Sequence, residues 1–118
     1  MIDLAKEAGK LIIEVRKSSD KSLKEEYLKA VRNFGPLVIQ NGLAAAIIFA
    51  KKKWPKELLK HIDELVKLRI GVDSISEKVE NLEIFQENYL WIQLETLNAV
   101  TWLKRYAEIL LGGEKNER

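Results

Sequence analysis

Apolar residues recur along most of this chain at steps of three and four, the spacing of one face of an α-helix. In the first segment Leu4, Ala8, Leu11, Ile12 and Val15 share a face, with Lys6, Lys10, Glu14 and Lys17 between them. The turn-forming run at residues 18–22, Ser-Ser-Asp-Lys-Ser, breaks the pattern. Ser22 with Glu25 three residues later predicts a capping box, in which each side chain satisfies an orphan backbone donor. A second helix is therefore expected over 23–33. Gly35-Pro36 is expected to end it, because proline disfavours α geometry in the residue before it. Pro36 then suits the first turn of a third helix reaching residue 52. That segment, PLVIQNGLAAAIIFAK, is apolar almost all round, which predicts burial at the centre of a bundle. Gly42 inside it costs about 1 kcal/mol against alanine. Close packing against a neighbouring backbone would offset that cost.

Lys-Lys-Lys-Trp-Pro at 51–55 ends the third helix. A fourth is expected over 56–68, with Leu58, Leu59, Ile62, Leu65 and Val66 inward. Residues 70–74 read as a turn, and Ser74 with Glu77 predicts a second capping box. From Ile75 the apolar positions Val79, Leu82, Phe85, Tyr89 and Ile92 carry on to Leu111, where Gly112-Gly113 is a good C-terminal stop. Unbroken, that helix would span about 55 Å, so a break is expected near residues 81–83. No strand pattern, internal repeat or low-complexity linker appears. The reading is all-α: a compact bundle of five or six helices in a single domain over 1–118, with 112–118 a frayed tail.

Composition narrows the chemistry. There is no cysteine among the 118 residues, which excludes a disulfide scaffold, a thiolate zinc site and a cysteine nucleophile. A single histidine, His61, excludes mechanisms that need two imidazoles. Gly-rich phosphate loops, GxSxG elbows and HExxH helices are absent. His61, Asp63 and Glu64 form the one histidine–carboxylate cluster and read as a solvated helix face. Glu77, Glu80, Glu83 and Glu87 recur at three and four residues and read as a charged outer face, although such spacing also suits a hard cation. The expectation is a non-enzyme with no cofactor. Asp3 and Glu7 stand where a signal peptide would be basic, and the longest apolar run, 42–50, is too short to span a bilayer. A cytoplasmic location with no membrane partner is expected.

The net charge of +2 hides a polarity. Residues 1–69 carry 15 basic and 9 acidic side chains, a balance of +6, whereas residues 70–118 carry 5 and 9, a balance of −4. Opposite faces of this kind permit copies to stack head to tail. The densest basic stretch holds Lys51, Lys52, Lys53, Lys56 and Lys60 against one glutamate. Arg16, Lys17, Lys21 and Lys24 form a looser group. Lysines so spaced gain affinity for phosphates by counterion release, without reading sequence. Trp54, inside the lysine run, either stacks on a base or caps the core at a helix junction. On the last helix Ile84, Trp91, Trp102 and Ile109 share a stripe with Asn88, Glu95, Asn98 and Arg105. Trp91 and Trp102 there suit a partner contact, or lie at the core boundary.

Two stretches carry more than composition does. One is GPLVIQNGLAAAIIFAK (35–51), preceded by a helix holding Tyr27, Ala30, Val31 and Arg32; the other is YLWIQLETLNAVTWLKRYAEILL (89–111). Together they resemble the small subunit of the Cmr-type (type III-B) CRISPR RNA-silencing complex. Pro36, Ile39, Asn41, Gly42, Leu43, Ala46 and Phe49 fit the first part of the family pattern. Tyr89, Leu90, Glu95, Leu97, Trp102, Leu103, Lys104, Arg105, Ala107 and Glu108 fit the second. Gly35 departs from it, since leucine is favoured before the proline. The resemblance implies a non-catalytic helical subunit, several copies of which stack beside the guide RNA-bearing backbone subunits in antiviral RNA interference. It implies a basic surface along the target strand or the guide–target duplex, with Lys104 and Arg105 inside the matched motif. The remaining RNA-binding candidates, Arg16, Lys17, Lys21, Lys51, Lys52, Lys53, Lys56 and Lys60, rest on charge alone. Two alternatives stand beside this reading: a helical protein-interaction module with no nucleic-acid partner, and a carboxylate-based metallo-enzyme.

Overall fold

The computed structural model describes residues 3–80 and 89–112. They form six helices: α1 (Leu4–Arg16), α2 (Lys21–Asn41), α3 (Leu43–Lys53), α4 (Lys56–Ile70), α5 (Ile75–Glu80) and α6 (Tyr89–Leu110). There is no strand among the described residues. The all-α expectation therefore holds. The expected break near 81–83 falls outside the described residues.

The core follows the predicted apolar faces. Leu4, Ala8, Leu11, Ile12 and Val15 of α1 and Leu58, Leu59, Ile62, Leu65 and Val66 of α4 are all buried. They join Tyr27, Val31, Phe34 and Val38 of α2 and Ile92, Ala99, Val100, Leu103 and Ala107 of α6 in one continuous cluster. Helix α6 packs along α1, α2 and α4. The Tyr106 ring of α6 sits against Gly9 of α1, where an added Cβ would lie 3.2 Å from it.

Two boundaries differ from expectation. Helix α2 does not stop at Gly35-Pro36 but runs through Pro36 to Asn41. Proline normally clashes with the backbone and Cβ of the residue before it, and Gly35 has no Cβ. Pro36 is exposed, so the carbonyl its missing N–H leaves unpaired is on the solvent side. The buried stripe Tyr27, Val31, Phe34, Val38 continues across it at steps of four, three and four. Packing on both sides of the proline outweighs its local preference.

The break comes at Gly42 instead. Its φ of 92° and ψ of 160° lie in a region essentially reserved for glycine. Gly42 is thus the joint between α2 and α3 rather than a mid-helix glycine in close packing. The segment 36–51 is also less buried than its composition suggests: Ile39, Ile48 and Phe49 are exposed.

The helix starts use other caps than those expected. Asp20, not Ser22, caps α2, its Oδ1 accepting from the Leu23 N–H at 3.1 Å. The start of α5 is capped from outside. Asp63 of α4 accepts from the Ser76 N–H at 3.1 Å and from the Ser76 hydroxyl at 2.6 Å. Ser74 instead turns the chain with a φ of 42°.

Candidate nucleic-acid interface

The residues that carry the family resemblance hold the bundle together. The N–H of Leu43, an orphan donor at the start of α3, donates to the Tyr89 hydroxyl at 3.1 Å and to Gln93 Oε1 at 3.2 Å. The NGL joint of the first stretch is thereby capped by the first turn of the second, 46 residues away. Arg32 Nε donates to Glu108 Oε2 at 3.1 Å, tying α2 to the other end of α6. Arg69 Nε lies 3.4 Å from Glu95 Oε1. That oxygen is buried and accepts no hydrogen bond, so the contact is an ion pair without alignment.

His61 is not on a solvated face. It is only 6 % exposed, and its Nδ1 lies 2.8 Å from the Tyr27 hydroxyl. Burial pushes the Tyr27 phenol far up, helped by the nearby Glu57 charge. Burial holds His61 down to about 4, against the opposing pull of Glu14 and Glu57. The phenol is therefore protonated and the imidazole neutral, and the two share one buried hydrogen bond whose direction follows the imidazole tautomer. Asp63 is likewise structural. Partial burial raises its carboxyl above the usual range while its Ser76 bonds pull it back. Of the expected solvated cluster only Glu64 is exposed; His61 is in a buried hydrogen-bonded pair and Asp63 is an inter-helix cap.

The basic residues divide into separate regions. Arg16, Lys21, Lys24, Lys29 and Arg32 line one groove of about 740 Å³, together with Glu25, Asn33 and a floor of Leu28, Leu110 and Leu111. The end of α1, the first half of α2 and the end of α6 each supply a wall. Five cations there face one carboxylate. Arg32 joins them with its Nε already held by Glu108, leaving the rest of its guanidinium for the groove. Lys17, the C-cap of α1, is exposed but does not line the groove.

Lys51, Lys52 and Lys53 are exposed in the last turn of α3, and Lys56 is exposed at the start of α4. Lys60 lines a second depression with Glu14, Glu57 and Glu64, surroundings that repel phosphate. Lys104 and Arg105 are exposed on α6, and Arg105 lies 4.8 Å over the Trp102 ring. Trp102 packs half-buried on the core, whereas Trp91 is exposed beside Leu90 and Leu94. Trp54 caps the core. It is half-buried, with its ring 5.0 Å from Phe49 and 6.3 Å from Phe34. Ile84 and Asn88 of the proposed stripe lie outside the described residues.

Sequence reasoning missed Lys29 and Arg32 as groove residues. Part of the signal was present: Lys21, Lys24, Leu28 and Arg32 recur at steps of three, four and four along α2. The convergence with α6 was not local in sequence. Among the described residues no three side chains are placed to hold a metal ion, and no helix is long and apolar enough to cross a membrane.

Comparison with known proteins bears on the same two stretches. The family model for CRISPR-associated protein (Cas_Cmr5) matches residues 3–110. The chain is 37 % identical over 117 residues to the CRISPR system Cmr subunit Cmr5 of Thermotoga maritima, covering 98 % of this chain and 88 % of that protein. No solved structure matches. The match runs through the NGL joint, its Tyr89 cap and the Arg32–Glu108 tie alike, and the chain belongs to the CRISPR-associated Cmr5 family.

Proposed function

We propose that this protein is a non-catalytic small subunit of a type III-B (Cmr) CRISPR effector, contacting target RNA through a basic surface centred on the Arg16–Lys21–Lys24–Lys29–Arg32 groove. The observation that carries the reading is the convergence of those five cations, from α1 and α2, around one carboxylate on a floor completed by the end of α6. A groove of this charge tracks a phosphate backbone by releasing counterions, which needs no base reading. Lys51, Lys52, Lys53 and Lys56 extend the cationic surface on α3 and α4. Lys104 and Arg105 extend it on α6. Several copies stack along the guide-bearing backbone subunits, a reading supported by the opposite charge of the two parts of the chain. The exposed Leu90, Trp91 and Leu94 of α6 are the surface best suited to a protein subunit. The complex acts in antiviral RNA silencing in the cytoplasm, and cleavage belongs to another subunit.

The test compares two triple variants in assembled complexes. Arg16→Ala with Lys21→Ala and Lys24→Ala should weaken target-RNA binding about a hundredfold near 0.1 M salt and lower the salt slope by about two. Lys52→Ala with Lys53→Ala and Lys56→Ala should cost less than about tenfold, because these lysines lie outside the groove. An unchanged slope in the groove variant would remove the groove from the RNA path and leave a protein-interaction module.

A further inference from the structure

One cation of the groove is held differently from the rest. Arg32 lines the groove, and its Nε donates to Glu108 Oε2 at 3.1 Å. Glu108 reaches it from α6 and does not itself line the groove. The other four cations, Arg16, Lys21, Lys24 and Lys29, are in no ion pair among the described residues. The Arg32 and Glu108 side chains are 42 % and 37 % exposed, and pairs so exposed add little to stability. Orientation is the larger consequence. A guanidinium is a planar fork of five donors, and engaging Nε restrains its plane. Four N–H groups on the two outer nitrogens remain, and one from each matches two oxygens of a single phosphate. A guanidinium already restrained also loses less rotamer freedom when a ligand arrives than a free lysine does.

We propose that Glu108 is a positioning residue: by engaging Arg32 Nε it presents the two outer nitrogens of that guanidinium to one phosphate of a strand in the groove. The inference rests on the RNA reading of the groove. It sets one contact of defined geometry among four that act through charge alone. Its sign is opposite to that of simple electrostatics. Glu108 is a carboxylate beside a cationic groove, so charge alone predicts that removing it tightens RNA binding. Positioning predicts that removing it weakens RNA binding.

The experiment measures target-RNA affinity in assembled complexes. Glu108→Ala should weaken binding about fivefold, the scale of ordering one rotamer-rich side chain on binding. Glu108→Gln lacks the charge but keeps an acceptor for Nε, so it should bind more tightly than Glu108→Ala, whereas charge alone puts the two level. Arg32→Lys keeps the charge but not the fork. It should cost about fivefold in the parent and much less in the Glu108→Ala background, since the two residues act as one unit. Thermal melts of the same variants report the structural share of the pair. A tie that only joins α2 to α6 lowers the melting temperature and leaves the affinity of the folded complex unchanged. The Arg16→Ala, Lys21→Ala, Lys24→Ala variant in the same assay tests the premise. If it binds as the parent does, the groove reading fails and the positioning role fails with it. If it binds weakly while Glu108→Ala binds as tightly as the parent or tighter, the groove stands and the positioning role is overturned. Level binding of the two Glu108 variants, or losses that simply multiply in the double variant, would overturn it as well.

Discussion

The inter-helix seam and the basic surface of this protein are built on different principles. In the seam, single residues far apart in the chain meet one or two named partners. Leu43 is capped by Tyr89 and Gln93, Tyr27 meets His61, and Arg32 meets Glu108. On the surface, cations gather by number: five in the groove and four more exposed lysines at 51–56. A phosphate strand tolerates the loss or displacement of any one of them, because its attraction is summed over many contacts. The seam has less such tolerance, because each donor there has only one or two partners. Some residues of the family pattern, Leu43, Tyr89 and Glu108 among them, therefore sit in the seam, where identity matters, whereas a surface proposed to face RNA would need only charge. Arg32 alone stands in both regions.

If that contrast is right, seam substitutions away from the Arg32–Glu108 tie lower stability and leave the affinity of the folded protein for RNA unchanged. The largest effect is expected from acid. His61 is neutral in the folded protein down to about 4, whereas in the unfolded chain it takes a proton near its ordinary value of about 6.5. The unfolded state thus binds more protons between those values. The contribution is complete above the unfolded value and is lost as pH falls through that window, about 3 kcal/mol in all. Denaturant titrations across the window should show that slope, and His61→Gln should flatten it. A wild-type stability independent of pH there would mean that the Tyr27–His61 pair is not closed in solution.

A smaller effect is expected at the joint. Gly42 adopts a φ of 92° and ψ of 160°, so Gly42→Ala should cost about 2 kcal/mol in backbone strain. An added Cβ would meet only the Tyr89 hydroxyl, at 3.5 Å, an ordinary contact, so sterics add little. The variant should melt lower and, where folded, bind target RNA in the complex as the parent does. Loss of RNA binding without loss of stability would move the joint from the seam to the surface.

The sequence made the helices legible through their buried faces, which need only local periodicity. All five predicted inward positions of α1 and all five of α4 are buried. It misled where a local preference and a distant partner disagree. Pro36 looked like a stop, but the stripe from Tyr27 to Val38 packs straight across it. His61 looked solvated among charged neighbours, yet Tyr27, 34 residues earlier, gives it a buried partner. Ser74 looked like a cap, and the cap came from Asp63 on another helix. The lysine run at 51–60 was visible because it is contiguous. The groove was only half visible, because Lys29 and Arg32 count there only once α6 is in place. Contacts between elements carry no periodic signature in one chain.

The mildest seam variant separates the two regions most sharply. Tyr89→Phe removes only the hydroxyl that accepts from the Leu43 N–H. Gln93 Oε1, 3.2 Å from the same nitrogen, remains as the acceptor. The donor is thus not orphaned, and the expected cost is about 1 kcal/mol, the net worth of one hydrogen bond. Pairing it with Gln93→Leu strands the donor. The double variant should then lose more than the sum of the two single losses, because acceptors sharing one donor compensate for each other. Thermal or denaturant melts of the four proteins measure that excess directly. Additive losses would mean that the start of α3 finds its acceptor elsewhere, and that the two family stretches meet without depending on each other.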